Sequence, residues 1–134
     1  MFLSRYASQV HGIFRIMTGL LFVQHGLQKL VHFPPLPPQM AAAMTHIPDN
    51  VKPVLLTAAV IELVGGTLVT LGLWSRWAAF ICSGEMAFAY FLGHVAMSHS
   101  IFPATNMGDA AVLFCFAFLF LAAAGPGAFA ANQK

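Results

Sequence analysis

Four stretches of this chain are each long and apolar enough to cross a lipid bilayer, and no other feature limits the fold so tightly. A spanning helix needs about 20 mostly apolar residues for a hydrocarbon core about 30 Å thick. The windows run from about 9 to 30, 53 to 73, 77 to 97 and 106 to 124. The first stops before His32-Phe33-Pro34-Pro35-Leu36-Pro37-Pro38, where the prolines forbid further helix. The second opens at Pro53, a favourable first-turn residue, and the fourth ends at Gly125-Pro126-Gly127. A short turn, Trp74-Ser75-Arg76, joins the middle two. The segment 31–52, with a short helix near Gln39 to Thr45, is the only connection long enough to act as a lid.

Charge content points the same way. Of 134 residues, 59% are hydrophobic and 7% charged, whereas a soluble domain carries about 25% charged residues. That deficit excludes an ordinary soluble enzyme and a disordered segment. The six Lys and Arg are scattered from Arg5 to Lys134 and the net charge is +2, so no basic patch exists to hold a nucleic acid. Cys82 and Cys115 stand singly in apolar runs and read as packing residues. Arg15, His25 and Lys29 interrupt the first apolar run and no cleavage site follows it, so this helix is expected to be retained. The expected architecture is all-α: one domain over 1–134, an integral membrane antiparallel four-helix bundle. Arg5, Arg76 and Lys134 would share one side against Lys29 and Lys52 on the other, which favours both termini in the cytoplasm.

Helices in lipid meet through small residues that let backbones approach. Gly12, Gly19 and Gly26 recur every seven residues in the first helix; Ala58, Gly65 and Gly72 do so in the second, and Ala110, Ala117 and Ala124 in the last. These lines predict the contact seams, with left-handed crossing near 20°. The third helix carries a looser set, Ala78, Cys82, Glu85, Ala89 and Ala96.

Charges lie on or beside those seams. A charge facing lipid at the bilayer centre costs about 2.5 to 3.5 kcal/mol even on the lenient insertion scale, so such groups turn inward. From a rise of about 1.5 Å per residue, Glu62 falls roughly 14 Å from the outer end of its helix and Glu85 roughly 12 Å from the inner end of its own. Arg15 lies about 9 Å in from the cytoplasmic side. A central cluster of Arg15, Glu62 and Glu85 is therefore expected, with a second layer of His25, Lys29, His94, Asn106 and Asp109 in which Lys29 and Asp109 pair. Three buried carboxylates against two cations imply that one of Glu62 and Glu85 holds a proton at neutral pH. No histidine pair has the spacing of a metal site, so no metal is expected.

The motifs, taken in order, resemble one family. Arg15-x-x-x-Gly19, Phe22-x-x-x-Gly26-x-x-Lys29-Leu30, Glu62-x-x-Gly65-Gly66, Gly72-x-x-x-Arg76-x-Ala78-Ala79, Gly84-Glu85 with Ala89-Tyr90 and His94, Asn106-x-Gly108-Asp109-Ala110 and Gly125-Pro126-Gly127 together look like the DoxX family of small bacterial membrane proteins. Position 109 is Asp where the family often has Glu, and the tail lacks the family's common Ser-x-Asp ending. The resemblance implies a four-helix protein of the bacterial inner membrane, named after a subunit of a thiosulfate:quinone oxidoreductase. It also implies a shared site at Arg15, Lys29, Glu62, Glu85, His94, Asn106 and Asp109.

Three functions compete. In the leading one, a redox-linked subunit binds a quinone or similar small apolar molecule, with Phe22, Phe88, Tyr90, Phe91, Phe116 and Phe120 forming the slot. Lys29, Tyr90, His94, Asn106 and Asp109 would hold the ligand, and Glu62, Glu85 and Arg15 would relay protons. The chain has no electron carrier of its own, so an oxidoreductase partner would supply electrons; beyond the lipid bilayer, a homo-oligomer is the other expected partner. The alternatives are a small proton or solute transporter and a non-catalytic membrane assembly subunit.

Overall fold

The computed structural model describes residues 1–132, and of residues 40 and 43 the backbone alone. Lys134, counted above with the cytoplasmic charges, lies outside the described residues. A 3-10 turn (Ser4–Tyr6) leads into α1 (Ala7–Val31); α2 (Pro38–Met44) follows in the long connection, then α3 (Lys52–Leu71). Next, α4 (Ser75–Ala89) runs without a break through a π turn (Tyr90–Val95) into α5 (Ala96–Ser98). Short α6 (Pro103–Asn106) and then α7 (Asp109–Ala124) complete the chain, and no strand occurs among the described residues.

Among the described residues two helices, Lys52–Leu71 and Ser75–Ser98, are long and apolar enough to cross a membrane, fewer than the four windows expected. The helix α7 is apolar but only 16 residues long, a rise of about 24 Å. The 25 residues of α1 suffice in length but include His11, Arg15, Gln24, His25, Gln28 and Lys29.

Close packing joins α1 to α3, α3 to α4 and α4 to α7. Gly19 and Gly26 sit where a Cβ would come 2.8 Å from the Gly66 carbonyl oxygen and 2.9 Å from that of Ala59, so α1 and α3 touch backbone to backbone. The α3 line facing α1 is thus Ala59, Glu62 and Gly66, one residue over from the expected Ala58 and Gly65, whereas the expected Gly72, just past α3, does meet α1 at Arg15. Gly65 instead faces α4, where its Cβ would lie 2.5 Å from Cys82 Sγ. On α7 the buried residues are Ala111, Phe118 and Leu121, while Ala110 and Ala124 of the expected alanine line are exposed. Adjacent small residues explain both shifts: 58–59, 65–66 and 110–111 each offer two small side chains 100° apart around the helix, and period alone does not choose between them.

The interior holds Phe22, Val69, Cys82, Met86 and Phe118 together with Arg15, Thr18, Glu62, Ser83 and Asn106. Outward stand Leu20, Leu21, Val60, Val64, Phe80, Ile81, Phe91, Leu113 and Phe116. Charge within and apolar bulk without is the reverse of the arrangement water imposes.

Candidate functional site

Both interior cations of α1 face its partners, and the fold treats them differently. At the end where the chain terminates, Arg15 is completely buried. Its Nη1 donates to the Pro126 carbonyl at 2.8 Å and its Nη2 to that of Phe129 at 3.0 Å. The Gly125-Pro126-Gly127 turn sends the tail back across this end: Ala128 N–H donates to Ser8 O, Ala131 N–H to Leu71 O and Asn132 N–H to Gly72 O. Gly72 makes room, since a Cβ there would come 2.6 Å from Arg15 Nη1, and its φ of +70° suits glycine in any case. Arg76 completes the clamp by donating to the carbonyls of Ala122 and Ala123 at the end of α7, where cations also complement the helix dipole. Arg15 therefore does not join Glu62 and Glu85. A fork of planar donors is well matched to two carbonyls, and the tail, read from the sequence only as a helix stop, brings them to it.

At the other end, which carries the 32–51 connection, Lys29 Nζ donates to Glu62 Oε1 at 2.6 Å. The Glu62 side chain is 2% exposed and its Oε2 has no hydrogen-bond partner. The expected Lys29–Asp109 pair does not form: Asp109 opens α7 on an exposed position, and Lys29 is satisfied by α3, the helix on which α1 packs. Glu85, on α4, lies within electrostatic reach of both Glu62 and Lys29. Its Oε2 is also buried without a partner. His25, half-buried edge-on to Phe114, feels the same two charges.

Two spaces meet at Glu85. One is a groove of about 440 Å3 between α3 and α4, lined by Val54, Thr57, Ala58, Ile61, Ile81, Gly84, Glu85 and Phe88. The other is a chamber of about 270 Å3 toward the loop end, where Lys29, Glu85 and His94 share the wall with Leu55, Phe88 and Leu92. Above Lys29 a further space of about 310 Å3 is roofed by Met44 and Ile47 of the long connection and bordered by His32 and Lys52.

The remaining predicted residues take different places. Asn106 is buried; its Nδ2 donates to Tyr90 Oη and to Ser100 O, and its Oδ1 accepts the Gly108 N–H. Tyr90 Oη donates to the Ile101 carbonyl. His94 Nδ1 lies 3.0 Å from the Asn106 carbonyl oxygen; a carbonyl only accepts, so the proton sits on Nδ1. These bonds tie the end of α4–α5 to α6 and to the start of α7. They engage Tyr90 and Asn106 in the junction, and of the three only His94 lines the chamber. Of the expected aromatic slot, Phe88 alone lines the groove: Phe22 packs in the core against Phe118, while Phe91, Phe116 and Phe120 point outward.

Sequence reasoning missed the π turn, which carries both Tyr90 and His94. Such turns cluster at functional positions, but no residue in Tyr90–Val95 announces one. It also missed Thr57, whose signal was present: the one polar side chain between Pro53 and Ile61, just over one turn before Glu62. Among the described residues no cluster of His, Cys, Asp and Glu could hold a metal ion.

Comparison with known proteins gives two matches. A family model for DoxX matches residues 11–95, a span that includes Arg15, Lys29, Glu62, Glu85 and His94 and stops before Asn106 and Asp109. An uncharacterized protein of Haemophilus influenzae is 40% identical over 133 residues, 98% of this chain and 95% of that protein. No solved structure matches.

Proposed function

This chain belongs to the DoxX family and is a membrane protein, and from that premise we propose that it binds a quinone or similar small apolar molecule as a redox-linked subunit of the bacterial inner membrane. In this reading α1, α3, α4–α5 and α7 are its spans, both termini are cytoplasmic, and the loop-end chamber faces outward. Tilt and local thinning accommodate the short α7.

The observation that carries the reading is the convergence of Lys29, Glu85 and His94 on one chamber beside a groove of about 440 Å3. The chamber, about 270 Å3, lies close to the lower end of the range of about 300–1,000 Å3 common for small-molecule sites. The donor set fits a quinone: Lys29 keeps N–H groups beyond the one given to Glu62, and these reach a carbonyl oxygen that can only accept. A bound quinone supplies two-electron chemistry coupled to protons, and an oxidoreductase partner supplies the electrons. The chain's own part is to orient the head against Lys29 and His94, to exclude water with Leu55, Phe88 and Leu92, and to hold a proton between Glu62 and Glu85. Arg15, held by the tail, stands outside this relay.

A short-chain quinone analogue should raise the melting temperature of the purified protein, and Lys29→Gln should remove the effect. Native lipid extracts without quinone, together with no thermal shift at saturating analogue, would sink the reading.

A further inference from the structure

The chamber and the groove that meet at Glu85 differ in hydrogen-bonding character. The chamber presents the remaining N–H donors of Lys29, while His94, whose Nδ1 proton goes to the Asn106 carbonyl, turns only an acceptor nitrogen to it. The groove has two polar side chains, Glu85 and Thr57, and Thr57 Oγ1 already donates its proton to the Pro53 carbonyl at 2.9 Å. What Thr57 has left are lone pairs, so its remaining capacity is to accept. The single donor such a wall can offer is the O–H of a protonated Glu85, so an anionic head would meet no fixed positive group there.

Charge strengthens the distinction. Lys29 and Glu62 neutralise each other at 2.6 Å. Glu85 makes no hydrogen bond or ion pair among the described residues, and Oε2 is sealed from solvent. An ionised Glu85 thus leaves one negative charge in excess in apolar surroundings, which must be met by a proton or by a cation. The groups around it are Glu62 on α3, Lys29 and His25 on α1, Cys82 one turn earlier on α4 and His94 beyond the π turn.

The setting is lipophilic. Val54, Ile81 and Phe88 rim the groove and are about half exposed on the apolar outside of the molecule. A second groove of about 250 Å3 continues along the same α3–α4 seam past Val60, Val64, Gly65 and Leu68, with no polar side chain in its wall. Phe88 stands at the edge of the first, next to Glu85, where a ring face can attract a cation.

We propose that the α3–α4 groove binds a lipophilic organic cation, a positively charged nitrogen or phosphorus centre with apolar substituents, in exchange for a proton held on the Glu62–Glu85 pair. The carboxyl O–H bond breaks, the proton leaves to water through the His94-lined chamber, and the cation takes over its charge, so the net charge of the buried cluster is unchanged. The substituents lie along the seam and the charged centre rests between the Glu85 carboxylate and Phe88. The ligand reaches the site from the bilayer, sideways between α3 and α4. This site goes beyond the quinone reading and does not depend on it, since the two ligands use opposite walls around Glu85.

The test uses the full chain purified in detergent and tetraphenylphosphonium as probe. Saturable binding is expected in weak buffer near pH 7, with release of close to one proton per cation bound, read by a pH indicator. Affinity should fall about tenfold per pH unit once the carboxyl is protonated. Glu85→Gln should lose both binding and release, whereas Asp49→Asn, in the exposed 32–51 connection, should keep both. Should Glu85→Gln fail to fold, carbodiimide labelling of wild-type Glu85, followed by mass spectrometry, should be slowed by the cation. No binding in wild type, binding without proton release, binding that survives Glu85→Gln, or labelling unaffected by the cation would each overturn the proposal.

Discussion

Arg15 and Lys29 sit on the same face of α1, four turns and about 21 Å apart, yet their surroundings have opposite consequences. Arg15 gives hydrogen bonds from both Nη atoms to backbone carbonyls of the folded-back tail. Carbonyls do not titrate, and a guanidinium does not lose its proton in proteins, so this end can only hold or let go. Lys29 meets a carboxylate, with a second carboxylate nearby and two spaces beside it. That end can change its protonation and admit a ligand. The difference separates a clamp from a site, although both begin as a buried cation on one helix.

The comparison can be broken first at the clamp. Arg15→Met removes two charge-assisted hydrogen bonds and should destabilise the protein by about 3 kcal/mol or more. It should also make the tail beyond Gly125 sensitive to protease, with Arg15→Lys restoring only part. Thermal unfolding and limited proteolysis in detergent check both effects. Lys29→Met comes next: it leaves the buried Glu62 unpaired, a change worth about 3 kcal/mol for a fully buried pair. Because the Lys29 side chain is 28% exposed, we expect nearer about 2 kcal/mol after solvent screening. Adding Glu62→Gln should recover most of that loss, and a double-mutant cycle of melting curves measures it.

A smaller change sharpens the contrast. Gly72→Ala places a methyl group against Arg15 Nη1 at a positive φ, and should cost about 1–2 kcal/mol from the backbone conformation alone. Its effect should fall on the clamp, leaving quinone-analogue and cation binding intact. Glu85→Gln should do the reverse, changing the melting curve by less than about 1 kcal/mol because no hydrogen bond is lost, while abolishing cation binding. The smallest effect belongs to Asp109→Asn, within about 0.5–1 kcal/mol, since only the helix N-terminus responds to its charge.

Much of this contrast was legible in the chain. Long apolar windows implied helices, and a charge deficit implied a membrane. Arg15, Glu62 and Glu85 stood out as charges that had to turn inward, and two of the three are buried in full. Their partners were not legible. Arg15 and Glu62 fall at workable depths for an ion pair, but depth along an axis says nothing of which helix is adjacent at that angle. Lys29 looked toward Asp109 for the same reason, whereas the contact of α1 with α3 puts Glu62 beneath it. The aromatic slot failed similarly: a phenylalanine in lipid gains as much by facing outward as inward, so composition could not say that Phe22 is core, Phe91 surface and Phe88 alone beside the site.

By itself the sequence determined the class of molecule, an all-helical membrane protein of the DoxX family, because hydrophobic length and charge scarcity act on each segment separately. Tertiary structure decided which buried charges meet. A one-residue rotation turns a helix face by 100°, and the neighbouring small pairs at 58–59, 65–66 and 110–111 left that rotation open. Only the close approach of Gly19 and Gly26 to the α3 backbone fixed it. The return of the tail, a contact between residues more than a hundred positions apart, then took Arg15 out of the site and left Lys29, Glu62 and Glu85 to form it.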